Sequence, residues 1–290
     1  AKPWRGSISL GGGYNNNVVA LGEGVALPAD ISRKSSAFAR LTANVAYDWK
    51  LAPGDTLTAG YAFLGDAYEA LSRYNIDDHF LSLDYRHVFS PDLLFGFRAS
   101  DELTRIDGRA FRNEVAFRPS LAYRFTPRFA TEVAYSLAAS DFRFPTLAFQ
   151  DRDSRAQTLA VTNYFSTPAT RLTGRFGFFH TRNNADGSDF DFKRNGFLVG
   201  ATLPLFSNIT ADAFYLRNFD RYDNPNSLAS AAGFAFARKD DIDRLAIQLG
   251  RPISTSLSLY ARYDYTKYHS NIQFFSFDQH VVSAGLIFSF

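Results

Sequence analysis

The chain has 290 residues, a formal net charge of +2 and 21% charged residues, which argues against a disordered chain and against an extended nucleic-acid surface. It contains no Cys, so a disulfide frame, a thiolate metal site and a thiol nucleophile are all excluded. Phe (30) and Tyr (15) are abundant while Trp (2) is scarce, a bias that suits strands and membrane–water interfaces.

The N-terminal stretch Ala1 to Arg5 lacks the apolar core of a signal peptide, and no run of 18 apolar residues provides a transmembrane helix. Methionine is absent, and the chain is therefore expected to be a processed product or a piece of a longer one.

From the first residues onward the sequence alternates with a period of two. Fourteen stretches of this kind are expected, beginning near Arg5, Ser36, Asp55, Asp77, Asp92, Ala110, Phe129, Ser154, Arg171, Phe192, Ile209, Asp241, Ser256 and Phe277. Each runs for roughly 9–14 residues by the alternation test. In the second, Leu41, Ala43, Val45, Tyr47 and Trp49 share one face, while Arg40, Thr42, Asn44, Ala46 and Asp48 share the other. The sixth sets Val115, Phe117, Leu121, Tyr123 and Phe125 against Glu114, Arg118, Ser120 and Arg124.

The connections sort by length. Short ones at 52–55, 90–92, 126–128, 166–169, 207–208 and 252–255 carry the Pro, Gly, Asn and Ser of tight turns. Longer polar ones at 15–35, 66–76, 105–109, 141–153, 183–190, 222–240 and 269–276 alternate with them, so both chain ends fall on the short-turn side. An even number of antiparallel strands, short turns on one side and long loops on the other is the pattern of a transmembrane β-barrel in the bacterial outer membrane. The reading is one all-β domain over 1–290, with no linker.

The content of the two faces sets their direction. The polar face carries Arg40, Arg86, Arg98, Arg118, Arg124, Arg175, Arg244 and Arg262. Asp48, Asp84, Glu114, Glu132, Asp212 and Asp264 share it. A dry interior does not accommodate so many charges, and a ring of fourteen strands is too wide for apolar side chains to fill. The charged face is therefore expected to line a wet lumen, and the apolar face to meet lipid as a belt about 25 Å tall. Trp49, Phe63, Phe89, Phe125, Phe129, Phe165 and Phe290 are expected to form an aromatic girdle beside the short turns. The competing fold, one or two soluble β-sandwiches, gives no reason for the loops to separate by length.

The chain ends on "SAGLIFSF". Phe290, Phe288 and Leu286 continue an outward row with Ala284 and Val282. This resembles the C-terminal strand that outer-membrane barrels present to the barrel-assembly machinery, which makes that machinery an expected partner. Closure would pair this strand with residues 5–14.

Catalytic chemistry is not expected. His79, His87, His180, His269 and His280 are scattered, and read as interface or loop histidines. "GGGYNNN" lacks the Lys-Ser/Thr and helix of a phosphate loop. In "NNADGSD" the EF-hand frame would put Arg182 first and Lys193 last, where carboxylates are required, leaving only a looser loop site at Asp186 and Asp189. "KDDID" at 239–243 reads as a solvated strand entry. No metal, cofactor or enzymatic activity is assigned.

"GYNNNVV" at 13–19, the strand "SAFARLTANVAYDW" and "LGDAYEALSRYNIDDHFLSLDYRHVF" resemble the barrels of surface lipoprotein assembly modifiers, with Gly13, Tyr14, Asn15 and Asn17 the best-matching positions. The resemblance implies a fourteen-stranded outer-membrane barrel that follows a periplasmic helical-repeat domain and helps move lipoproteins to the cell surface. The repeat domain is not in this chain. Three functional readings stand: a small-solute channel, an export barrel, and a plugged barrel that anchors an envelope complex. Residues 15–35 and 222–240 could fold inward as constrictions, and "NSLASAAGFAFA" at 226–237 is apolar enough to pack inside the mouth.

Overall fold

A computed structural model describes the chain except residues 1–2, 23–24, 30, 144–146, 207 and 232–234. Its strands are β1 (Trp4–Asn15), β2 (Ser36–Ala52), β3 (Asp55–Tyr68), β4 (Ile76–Ser90), β5 (Leu93–Ile106), β6 (Arg109–Thr126) and β7 (Phe129–Phe142). They continue with β8 (Ser154–Thr167), β9 (Leu172–Ala185), β10 (Phe192–Pro204), β11 (Thr210–Pro225), β12 (Ala237–Pro252), β13 (Leu257–Ser270) and β14 (Phe277–Ser289). Each pairs antiparallel with its sequence neighbours, and β14 closes on β1 to give a fourteen-stranded barrel without an edge. Among the described residues no helix is long and apolar enough to cross a membrane.

The expected strand starts fall within one residue of those observed, except at β12, which begins at Ala237 rather than near Asp241. There Lys239 and Asp241 point outward, so the first residues of the strand carry charge on the face where apolar residues would have marked it. Several strands outrun the expected length; β6 has 18 residues and β2 has 17. The extra residues extend the barrel beyond the apolar belt, where polar side chains blur the two-residue rhythm.

Turn chemistry explains the hairpins. Between β2 and β3, Pro53 precedes Gly54, whose φ of +90° suits the third position of a type II turn. The connection between β5 and β6, expected to be one of the longer loops, is instead the two-residue turn Asp107–Gly108, with φ of +52° and +70°. Two consecutive positive φ angles match the right-handed twist of the flanking strands, and Asp-Gly meets that need. The separation by length therefore holds at the other hairpins but not here.

Directly opposed residues on antiparallel strands face the same side, so the register traces continuous rows around the wall. Phe95, Leu121, Val133, Val161, Phe178 and Phe197 form one such row from β5 to β10. Leu259, Leu286, Leu10 and Leu41 form another across the closing seam. Of these, Leu10, Leu41, Leu121, Val133, Val161, Phe178, Leu259 and Leu286 are exposed, so the apolar face points outward. At the short-turn rim the exposed aromatics Trp4, Trp49, Phe89, Phe125, Phe129 and Phe290 supply a girdle. Phe63 does not belong to it: it lies toward the long-loop end of β3, 5.2 Å from the His79 ring. Parity put Phe63 on the right face but could not fix its height.

The seam is tightly packed. A Cβ on Gly11 would sit 2.3 Å from the Tyr260 hydroxyl, and one on Gly13 would sit 2.2 Å from the Val282 carbonyl. The glycine run thus serves close approach of β1 to its neighbours.

Candidate functional site

The register places Arg40, Arg86, Arg98, Arg118, Arg124, Arg175, Arg244 and Arg262 on the face opposite the apolar rows, together with Asp84, Glu114, Glu132 and Asp264. The interior has two regions of different density.

The short-turn half is open. A cavity of about 520 Å³ lies against β8 to β13, between Arg175, Asp212, Phe214, Gln248 and Arg262. A second, of about 400 Å³, lies on the opposite side among Asp84, Arg86, Arg98, Arg118 and Glu132. A third, of about 310 Å³, reaches from Arg40 and Thr42 across the seam to Gln248 and Arg262, which also line the first.

Many of the charges in this wall are paired across or along strands. Arg98 meets Asp84, Arg118 meets Glu132, and Arg112 meets Glu102 and, at 3.6 Å, Glu114. Arg262 grips Asp264 through hydrogen bonds of 2.6–3.0 Å. Arg124 reaches Asp92 at 3.0 Å beside a short turn. Arg98 and Arg118 are directly opposed like charges, and each turns outward from the other to its own acid, which relieves the repulsion. Among the described residues, Arg86, Arg175 and Arg244 have no carboxylate within ion-pair distance. Arg175 instead lies 5.5 Å from the Phe214 ring centre. Asp212, on the same cavity, accepts the Thr202 hydroxyl at 2.6 Å.

The long-loop half is filled. Ile242, Phe38, Leu71 and Ala229 are buried there, with Asp66, Asp220, Arg238 and Asp240. Arg40 grips Asp66 and Arg194 grips Asp220, each through two bonds of 2.6 Å in a fork-to-fork arrangement. Arg238 bonds Asp240 at 2.9 and 2.6 Å and stacks 3.5 Å from the Phe275 ring centre and 4.8 Å from that of Tyr222. Asp240 is 0% exposed, so "KDDID" is only partly solvated: Lys239 is exposed on the outer face while Asp240 anchors the mouth. Arg152, above Phe190 in the neighbouring loop, has its pKa lowered by burial and by nearby Arg238.

Loop segments complete this filling. Asn17 donates to the Leu21 and Asp278 carbonyls, and Gln279 donates back to the Asn17 carbonyl at 2.7 Å. The short helix α1 (Ser227–Ala231) is tied down by Ser227, whose N–H and hydroxyl both reach Asp189. Part of 226–237 therefore packs inward, through Asn226 and Ala229, whereas Leu228 and Phe236 stay exposed; residues 232–234 of this segment lie outside the described set. Sequence reasoning missed Arg194, Asp220, Arg238 and Asp240. Their signal was the inward parity of β10 to β12; for Arg238 and Asp240 it was hidden because the expected β12 start lay too late.

The histidines do not converge. His79 bonds the Tyr61 hydroxyl at 2.9 Å, His280 the Tyr263 hydroxyl at 2.8 Å, His180 the Asn195 side chain at 2.8 Å and His87 Asp55 at 2.7 Å. Asp189 serves the Ser227 anchor, while Asp186 groups with Asp151 and Asp153, their oxygens within 4.8 Å of one another. Asp153 already accepts the Phe142 N–H at 2.6 Å.

The whole barrel matches solved structures. It aligns with the outer membrane channel DcaP of Acinetobacter baumannii over 99% of this chain and 96% of that one, with TM-score 0.58 and 11% identity. The fold is that of the outer-membrane β-barrels. OmpT of Vibrio cholerae, as a loop L8 deletion mutant, aligns over 99% and 98% with TM-score 0.55 and 8% identity. An anion-selective porin from Comamonas acidovorans aligns over 99% and 98% with TM-score 0.51 and 10% identity. At these identities the likeness is one of architecture. No protein-family model matches the chain, and no curated protein matches it in sequence.

Proposed function

We propose that this chain is a porin-like channel of the bacterial outer membrane that passes small hydrophilic solutes and favours anions. The observation that carries this reading is the set Arg86, Arg175 and Arg244, inward-facing and without an acidic partner among the described residues, in a barrel whose other face is apolar. Paired arginines and acids polarise the wall without adding net charge; the unpaired ones give it a positive potential that draws anions into the bore. The narrow part of the path is the packed mouth around Arg40–Asp66, Arg194–Asp220 and Arg238–Asp240, with the wider vestibule on the short-turn side. The similar fold of an anion-selective porin supports the same direction. Phe290, Phe288 and Leu286 serve in this reading as the signal read by the barrel-assembly machinery.

Recording in planar bilayers under a salt gradient tests it. Stepwise conductance with a reversal potential of the anion-selective sign supports the channel. A silent or cation-selective protein refutes it.

The packing of the mouth favours a second reading. A closed mouth that opens only for a cargo or partner suits an export barrel, as in the resemblance of 13–19 to surface lipoprotein assembly modifiers, or an anchoring barrel. Silence in bilayers together with co-purification of a stable periplasmic partner would favour that reading.

A further inference from the structure

One outward-facing row departs from the rest. Arg182 on β9 stands directly opposite Lys193 on β10, Lys193 opposite Arg221 on β11, and Arg221 opposite Lys239 on β12. Four consecutive strands thus carry a cation at the same level, with no acid inside the row. Directly opposed like charges repel across neighbouring strands, and adjacent strands lie only ~5 Å apart. The row lies on the long-loop side of the apolar belt, above Phe178 and Phe197 on β9 and β10.

Carboxylates flank the row without filling it. Asp223, further out, lies 2.5 Å from Arg182 and 3.8 Å from Lys193. Asp241, further in, lies 2.9 Å from Arg221. Asp191 is occupied by the Ala185 N–H at 2.7 Å and the Asn224 amide at 3.3 Å. Lys239 has no carboxylate within ion-pair distance among the described residues, and Lys193 is 57% exposed. The row therefore sets four cations against two flanking carboxylates, Asp223 and Asp241, with Lys239 unmatched, on the long-loop side of the apolar belt.

We infer that this row binds the phosphate groups of a phosphorylated glycolipid in the outer leaflet. Lys and Arg act together here as point charges and bidentate forks on phosphate oxygens, and Phe178, exposed below the row, offers a surface for acyl chains. The inference rests on the outer-membrane placement proposed above and is separable from the channel reading.

The test is native mass spectrometry of the folded chain in uncharged detergent, with diphosphorylated lipid A as probe. Lipid A stripped of both phosphates and inorganic phosphate as competitor complete the set. Expected is retention of the diphosphorylated lipid about tenfold or more over the stripped form, weakened by salt. That preference should be lost in the variant R182Q/K193Q/R221Q/K239Q and kept in R105Q/R251Q, which removes two outward cations on β5 and at the short-turn end of β12. If the fourfold variant fails to fold, K193Q/K239Q provides the same comparison at two exposed positions. Equal retention of both lipids, undiminished binding by the row variants, or displacement by low inorganic phosphate overturns the inference. A protein that conducts in bilayers yet shows no such preference loses this site and keeps its channel.

Discussion

Phe290 and Gly6 close the barrel as a reciprocal pair. The Phe290 N–H donates to the Gly6 carbonyl at 3.0 Å and the Gly6 N–H donates to the Phe290 carbonyl at 3.2 Å. The Phe290 ring covers Gly6 so closely that a Cβ there would lie 2.5 Å from Cζ and 2.9 Å from the Asn44 carbonyl. Gly6→Val should therefore destabilise the barrel by roughly 1–3 kcal/mol, the usual cost of forcing a side chain into packed space. The denaturant midpoint of the refolded protein checks it. An unchanged midpoint would mean that the seam yields freely.

At the mouth, Asp240 neutralises Arg238 between the rings of Phe275 and Tyr222. Asp240→Ala leaves a buried guanidinium without its acid, a change that costs about 3–5 kcal/mol when water cannot enter. The mouth should loosen in response. Single-channel conductance is expected to rise and become noisier, and a conductance identical to wild type would count against a constriction at this level.

Arg175 lines the cavity of about 520 Å³ beside Asp212. Arg175→Glu should reduce anion preference, moving the reversal potential toward the cation side, whereas Glu132→Gln should increase it by releasing Arg118 from its acid. Two shifts of opposite sign are needed; shifts of the same sign would place these residues outside the ion path.

The Asp107–Gly108 turn supplies a local test. Gly108 has a φ of +70° and open space where a Cβ would go. Gly108→Ala should thus cost only the strain of a left-handed residue, about 1 kcal/mol, with no effect on conductance. A much larger loss in the unfolding midpoint would point to contacts that the turn does not make here.

The sequence made the wall legible because membrane strands separate apolar and charged residues with a period of two. Leu121 and Arg118 show their faces by parity alone, and Pro53–Gly54 marks its turn. Height along the strand is another matter. Phe63 shares a face with Trp49 but belongs to the opposite rim, since parity repeats at every second residue and carries no axial coordinate. The mouth was hidden for a different reason. Arg238 and Asp240 look like solvated charges until Tyr222 and Phe275, distant in sequence, come to lie over them. Partnering across strands, as between Arg40 and Asp66, likewise depends on register that only closure fixes.

The central claim is that hydrocarbon surrounds the outer row while water fills the bore. The chain has no Cys, so Leu121→Cys and Ser120→Cys can each carry a single spin label in reconstituted bilayers, on adjacent residues that face opposite sides. The account predicts that membrane-dissolved oxygen relaxes the label at 121 while a water-soluble nickel chelate relaxes the label at 120. Preferential access of the chelate to 121, or of oxygen to 120, would contradict it.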